Sequence, residues 1–115
     1  MTMGKEYVWS ATTDRILGIG LPLIDIGVRN WALSPSQALA ALEQFCAAEI
    51  AILGGDVYEM RDGRLHLTHD NWFCDRGPDE EQGAFVLRSV SQARGYITGY
   101  ARARTSVFFA IVPEL

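Results

Sequence analysis

The sequence predicts an α+β fold: a small antiparallel or mixed sheet of three to five strands with two main helices packed on it. Three observations lead there. Two segments carry apolar residues at helical spacing, one from Ala38 to Cys46 and one from Val86 to Tyr100. An Asp62-Gly63 pair sits between two short stretches that read as strands. The order of the elements lacks the strict strand–helix alternation of a doubly wound fold.

A chain of 115 residues has the size of one domain, expected to span 1–115. At this length roughly two thirds of the unfolded surface is buried on folding, enough for an ordinary hydrophobic core. Hydrophobic residues make up 49% and charged residues 21%, which are globular values and call for no disulfide or metal staple.

The elements follow in order. Tyr7-Val8-Trp9 reads as a short strand and Asp14 to Leu17 as one helical turn closed by Gly18 and Gly20. Leu21 to Ile24 connects, and Gly27 to Leu33 is an extended segment that delivers Trp31 and Leu33 to a core. Ser34-Pro35 starts a helix over about 35 to 48. The serine hydroxyl accepts from an unpaired backbone N–H, and proline at the first helical position has no N–H to leave unsatisfied. Ala38, Leu39, Leu42, Phe45 and Cys46 form its apolar face.

Ile50 to Leu53 is a buried strand, Gly54-Gly55 interrupts it, and Asp56 to Met60 resumes the alternation. Asp62-Gly63 accepts the positive φ of a tight turn, and Leu65 to His69 returns as the second strand of a hairpin. Asp70 to Pro78 is expected to be irregular, anchored by Trp72 and Phe73. Pro78-Asp79-Glu80-Glu81 then opens a second helix, acidic at its positive dipole end, running to about residue 101. Val86, Val90, Ala93, Ile97 and Tyr100 make its buried stripe, with Arg88, Arg94 and Arg102 off it. Ser106 to Val112, β-branched and aromatic, is a final strand stopped by Pro113.

Several function classes are excluded at this level. The start, Met1 to Glu6, has no basic stretch followed by an apolar core, so no signal peptide is expected. The apolar runs fall far short of the ~20 residues that span a bilayer. A cytoplasmic setting follows as an expectation, with Cys46 and Cys74 reduced. The net charge is −4, so the basic footprint of a nucleic-acid binder is missing. Charge is also uneven. Eight acids (Asp56, Glu59, Asp62, Asp70, Asp75, Asp79, Glu80, Glu81) face three arginines between 56 and 81, which suits a basic protein partner. For any one of these residues a solvated loop or helix start is the blander explanation.

Catalytic motifs are weak. Gly54-Gly55-Asp56 either lets a backbone approach a ligand or forms a bulge in a sheet, and the second reading leads. No phosphate-loop pattern exists. His66, His69, Asp70 and Cys74 lack the spacing of a zinc site, because residues three apart on a strand point to opposite faces unless a bulge intervenes. Cys74 near His69 is adjacency along the chain, not a Cys–His geometry. A ligand-binding or hydrolytic domain using Asp56, His66, His69 and Asp70 stays open as the alternative. It requires those four groups to line one pocket. Most large aromatics are expected in the core, with Trp72 in its acidic loop as the candidate interface anchor.

Certain stretches taken together carry more. They are Trp31-Ala-Leu33 before the Ser34-Pro35 helix, then Ile50-Ala-Ile-Leu-Gly-Gly-Asp-Val-Tyr58, then Asp70-Asn-Trp72, and last the helix around Arg88-Ser89, Ala93 and Tyr96-Ile97. In this order they resemble immunity protein 40, a family of bacterial polymorphic toxin systems, over residues 26 to 101. The resemblance implies an α+β protein, not an enzyme and without a cofactor, that protects its producer by binding a cognate toxin. Its toxin-binding face is then expected among Asp56, Tyr58, Glu59, Asp70, Trp72, Asp75, Glu80 and Glu81, against a basic toxin surface. The resemblance itself assigns no contact residue.

Overall fold

The computed structural model describes residues 6–115; the expectation for the start of the chain falls mostly on residues outside this range. Helix α1 (Ala11–Leu17) follows a Ser10 cap. A two-residue strand β1 (Leu21–Pro22), a 3-10 turn (Ile24–Ile26) and a two-residue strand β2 (Trp31–Ala32) come next. Helix α2 (Pro35–Ala47), strands β3 (Ile52–Arg61) and β4 (Arg64–Phe73), helix α3 (Gln82–Ala103) and strand β5 (Val107–Pro113) complete the order. The result is an α+β fold with one antiparallel sheet in the order β4-β3-β5 and a two-stranded antiparallel pair β1-β2.

The local signals act as their chemistry requires. Ser34 and Gln37 form a reciprocal capping box at α2, each side chain bonding the other residue's backbone N–H. Asp62 and Gly63 both adopt positive φ, +51° and +75°, at the β3–β4 turn, where opposed strands twist to match. Ala38, Ala41, Leu42 and Phe45 on α2 and Phe85, Val86, Val90, Ala93 and Ile97 on α3 are buried. The two helices pack on each other, with α3 against β3 and α2 against β5. Between helices and sheet lies the main core, which holds Leu33, Val57, Phe109 and Ile111. A smaller cluster of Leu23, Ala32, Tyr58 and Ala110 fills the opposite face of the sheet under the segment that carries β1, the 3-10 turn and β2.

Four expectations are corrected. Tyr7 to Trp9 is not a strand, because the Asp14 carboxylate accepts the Val8 and Trp9 amides at 2.8 and 2.9 Å and holds a bend. Gly54-Gly55 does not interrupt β3, which continues from Ile52 to Arg61, with a register shift against β5 between Ile52 and Gly54. Asp70 to Phe73 is not irregular but the end of β4, where Asn71, Trp72 and Phe73 pair with Asp56, Gly55 and Gly54 of β3. Helix α3 begins at Gln82 rather than Pro78; Glu81 stands at its N-cap without a side-chain bond, and the Glu80 carboxylate binds Arg88 and the Gly77 amide instead of capping the helix.

The edge of β5 is partly occupied. Leu33 and Phe109 exchange both backbone hydrogen bonds, at 2.8 and 2.7 Å, and Asn30 Nδ2 donates to the Ile111 carbonyl at 2.9 Å. An open strand edge invites pairing with another chain, and this side chain and bridge take up two of its acceptors.

Candidate functional site

The eight residues expected to meet a partner fall into three places. Strand register sorts the first group. Beyond Asp56↔Asn71, β4 spends Thr68, His69 and Asp70 where β3 has Val57 alone, before pairing resumes at Tyr58↔Leu67. The extra residues form a bulge with His69 at φ +72°. Thr68 Oγ1 repairs the ladder, donating to the Val57 carbonyl at 2.9 Å and accepting from the Asp70 amide at 3.1 Å.

The bulge brings Glu59, His66 and Asp70 to one polar groove of about 440 Å³ at the C-terminal end of α3, shared with Arg61 and Arg104. Glu59 pairs with Arg61 at 3.3 Å, and Tyr100 donates to Asp70 Oδ2 at 2.6 Å. Burial, with help from that bond to Asp70, raises the Tyr100 phenol above its ordinary pKa. Behind the groove an aromatic stack runs along α3: Trp72 on Tyr96 with centroids 4.8 Å apart, and Tyr96 on Tyr100 at 5.9 Å. Tyr96 and Tyr100 are one helical turn apart, a spacing that sequence reading used only for Tyr100.

The second place is the outward face of β3 near its glycines. Asp56 lines a shallow cleft of about 220 Å³ with Leu53, Gly54, Phe73 and Val112. Tyr58, two residues on, is only 3% exposed and lies in the smaller core cluster. Its phenol is pushed up by burial first and by the Asp56 charge second. Trp72 is 7% exposed and faces the main core, so the expectation of an exposed loop anchor is corrected. Its strand position places it on the opposite side of the sheet from Asp56.

The third place precedes α3. Arg88 reaches back from the helix and binds both Glu80 oxygens, Nε to Oε2 at 2.8 Å and Nη2 to Oε1 at 2.7 Å. It also donates to the Asp75 carbonyl at 2.6 Å and to Cys74 Sγ at 3.2 Å. Bidentate guanidinium–carboxylate pairing is among the strongest of charge-assisted bonds. It drops the Glu80 carboxyl to about 2, chiefly through the Arg88 bond and then the Gly77 amide, and raises Arg88. Asp75 and Glu81 are exposed, whereas Glu80 is already engaged. In the sequence Arg88 stands off the apolar stripe and among the residues of the family resemblance; no local pattern marks the clamp it forms.

Asp70 meets α3 at Tyr100 and Glu80 meets it at Arg88, twelve residues or about 18 Å apart along the helix. The acids therefore do not form one face. Nor do the four groups of the catalytic alternative share a pocket: His66 and Asp70 line one groove, Asp56 lines a different cleft, and His69 lines neither. Among the described residues no three His, Cys, Asp or Glu side chains stand close enough to hold a metal ion. Cys46 and Cys74 are free thiols, the first half-buried and the second buried.

A family model described as immunity protein 40 matches residues 22–113. The chain belongs to the immunity protein 40 family. The match reaches beyond residues 26 to 101 at both ends and takes in β5, which completes the sheet and holds Phe109 and Ile111 in the core. Among curated proteins nothing matches. An immunity function in general follows from the family. No helix of the described residues is long and apolar enough to cross a membrane.

Proposed function

We propose that this immunity protein 40 member acts in the cytoplasm of a bacterial producer, binds the toxin of the same polymorphic toxin system and covers the toxin's active site. The observation that carries the reading is the family match across residues 22–113. Neutralisation by occlusion needs complementary surface and no chemistry of its own, so the protein acts as an inhibitor rather than an enzyme and requires no cofactor.

The acids that keep solvent-facing carboxylates, Asp56, Glu59, Asp70, Asp75 and Glu81, supply charge toward a basic toxin surface. An excess of charge of one sign, even spread over several places on the surface, raises the rate at which an opposite partner arrives. Tyr58, Trp72 and Glu80 serve this surface indirectly: two pack the sheet that presents it, and the third is clamped by Arg88.

Co-expression with the toxin-like product of the adjacent gene tests the reading. Restored growth together with a complex that survives purification is the expected result. Continued toxicity with no co-purification would overturn it.

A further inference from the structure

Two cross-strand rows shape the outward face of the sheet at the β3 glycines. In one, Gly54 stands between Phe73 of β4 and Val112 of β5; in the next, Asp56 stands between Asn71 and Ala110. Residues two apart on a strand share a face. Gly54 thus leaves a notch between two apolar side chains, with the Asp56 carboxylate at one end. The position must stay glycine: Gly54 has φ +153°, and a β-carbon there would lie 2.2 Å from the Trp72 carbonyl oxygen. The cleft of about 220 Å³ above it is lined by Leu53, Phe73 and Val112 with Asp56.

The walls are apolar and open to solvent: Phe73 is 69% exposed and Leu53 38%. The end group carries a charge with no counter-charge of its own. Asp56 is half-buried, and its carboxylate makes no hydrogen bond or ion pair among the described residues. Each of the other half-buried acids among those residues is held: Asp14 by two amides, Glu59 by Arg61, Glu80 by Arg88 and Glu114 by Arg76. An unpaired carboxylate beside apolar walls is complementary to an incoming cation.

We propose that this notch receives one long cationic side chain, an arginine or lysine, from the cognate toxin, with its methylenes on Phe73 and Val112 and its charged head on Asp56. The proposal rests on the neutralisation reading above. These two residue types alone combine an apolar stem with a permanent positive head, and so match walls and end group together. An aliphatic or aromatic insert would bury the carboxylate without a partner, and an acidic one would add repulsion.

The test uses the full chain in complex with the toxin encoded beside it, the unmodified pair serving as the reference. Asp56→Asn keeps the shape of the side chain and removes its charge; Phe73→Ala trims an exposed wall. Each is expected to raise Kd about tenfold or more, mainly through faster dissociation, with the unfolding midpoint unchanged. Alanine replacement of the toxin's lysines and arginines should then reveal one residue whose loss is non-additive with Asp56→Asn.

Kd values within about twofold of the reference for both variants, or coupling to no toxin cation, overturn the notch while leaving neutralisation standing. An effect of Asp56→Asn confined to the association rate and abolished by salt also overturns it, since that marks distant steering. Absence of any complex with the unmodified chain removes the neutralisation reading, and the notch falls with it.

Discussion

The indole of Trp72 occupies the space directly beside Gly55: a β-carbon at Gly55 would lie 2.3 Å from Trp72 Cη2. The ring then continues onto Tyr96 and meets Phe109 edge-on. The double glycine of β3 is therefore explained by packing. Gly55 makes room for an aromatic ring on the core face, and Gly54 keeps the backbone clear of the Trp72 carbonyl.

Gly55→Ala is accordingly expected to destabilise the protein by about 1–3 kcal/mol, the usual result of forcing atoms into a filled core. Urea unfolding followed by tryptophan fluorescence measures it. A midpoint equal to that of the unmodified chain would show that the ring can move aside at no cost.

Ser89 offers a second test. It is fully buried on α3, where its hydroxyl accepts from the Ile52 amide at 2.9 Å and donates to the Val86 carbonyl at 3.2 Å. Ile52 stands opposite Pro113 at the edge of the register shift, so the serine supplies a bond at the irregular end of the ladder. Ser89→Ala strands a buried N–H and should cost about 1–3 kcal/mol. Hydrogen exchange at the Ile52 amide should rise in parallel, and unchanged protection would point to a replacement acceptor.

The Glu80–Arg88 clamp makes part of the stability acid-sensitive. The folded-state carboxyl is depressed from 4.5 to about 2. Its contribution is therefore fully present above the unfolded value and is lost as pH falls from about 4.5 through 2. Glu80→Gln should lower the thermal midpoint at pH 7, and the difference from the unmodified chain should shrink steadily across that acid window. Carboxyl carbon NMR reads the titration directly. A Glu80 midpoint near 4.5 would mean that the clamp does not persist in solution.

Trp72 and Asp75 separate scaffold from surface. Trp72→Ala empties a buried aromatic site and should cost about 3–5 kcal/mol of stability. Asp75→Lys changes an exposed carboxylate and should leave the unfolding midpoint within about 0.5 kcal/mol. Its expected effect is a slower association with the toxin at low ionic strength, fading as salt is added. Stopped-flow binding at two salt concentrations distinguishes the two roles; an unchanged association rate would remove Asp75 from the steering surface.

Much of the fold could be read residue by residue because its signals are local. Ser34, Pro35 and Gln37 sit within one turn of each other and cap α2 by contacts that the chain makes with itself. Asp62-Gly63 is a turn for the same reason. The continuation of β3 through Gly54-Gly55 and of β4 through Asp70 to Phe73 was not legible. Glycine, aspartate and asparagine weaken strands in isolation, and only the packing of Trp72 and pairing across β3 hold them there.

By itself the sequence determined the α+β class, both helical stripes, the hairpin and the family resemblance, since periodicity and capping depend on neighbours a few residues away. Tertiary structure decided which acids stand free. A strand sends alternate residues to opposite faces, so the bulge at Thr68 to Asp70 and the register around Gly54 choose the face for every residue after them. That choice buried Trp72, clustered Glu59 with His66 and Asp70, and left the Asp56 carboxylate at the end of the cleft by Gly54. Register is set by pairing between distant segments, and no spacing along the chain records it.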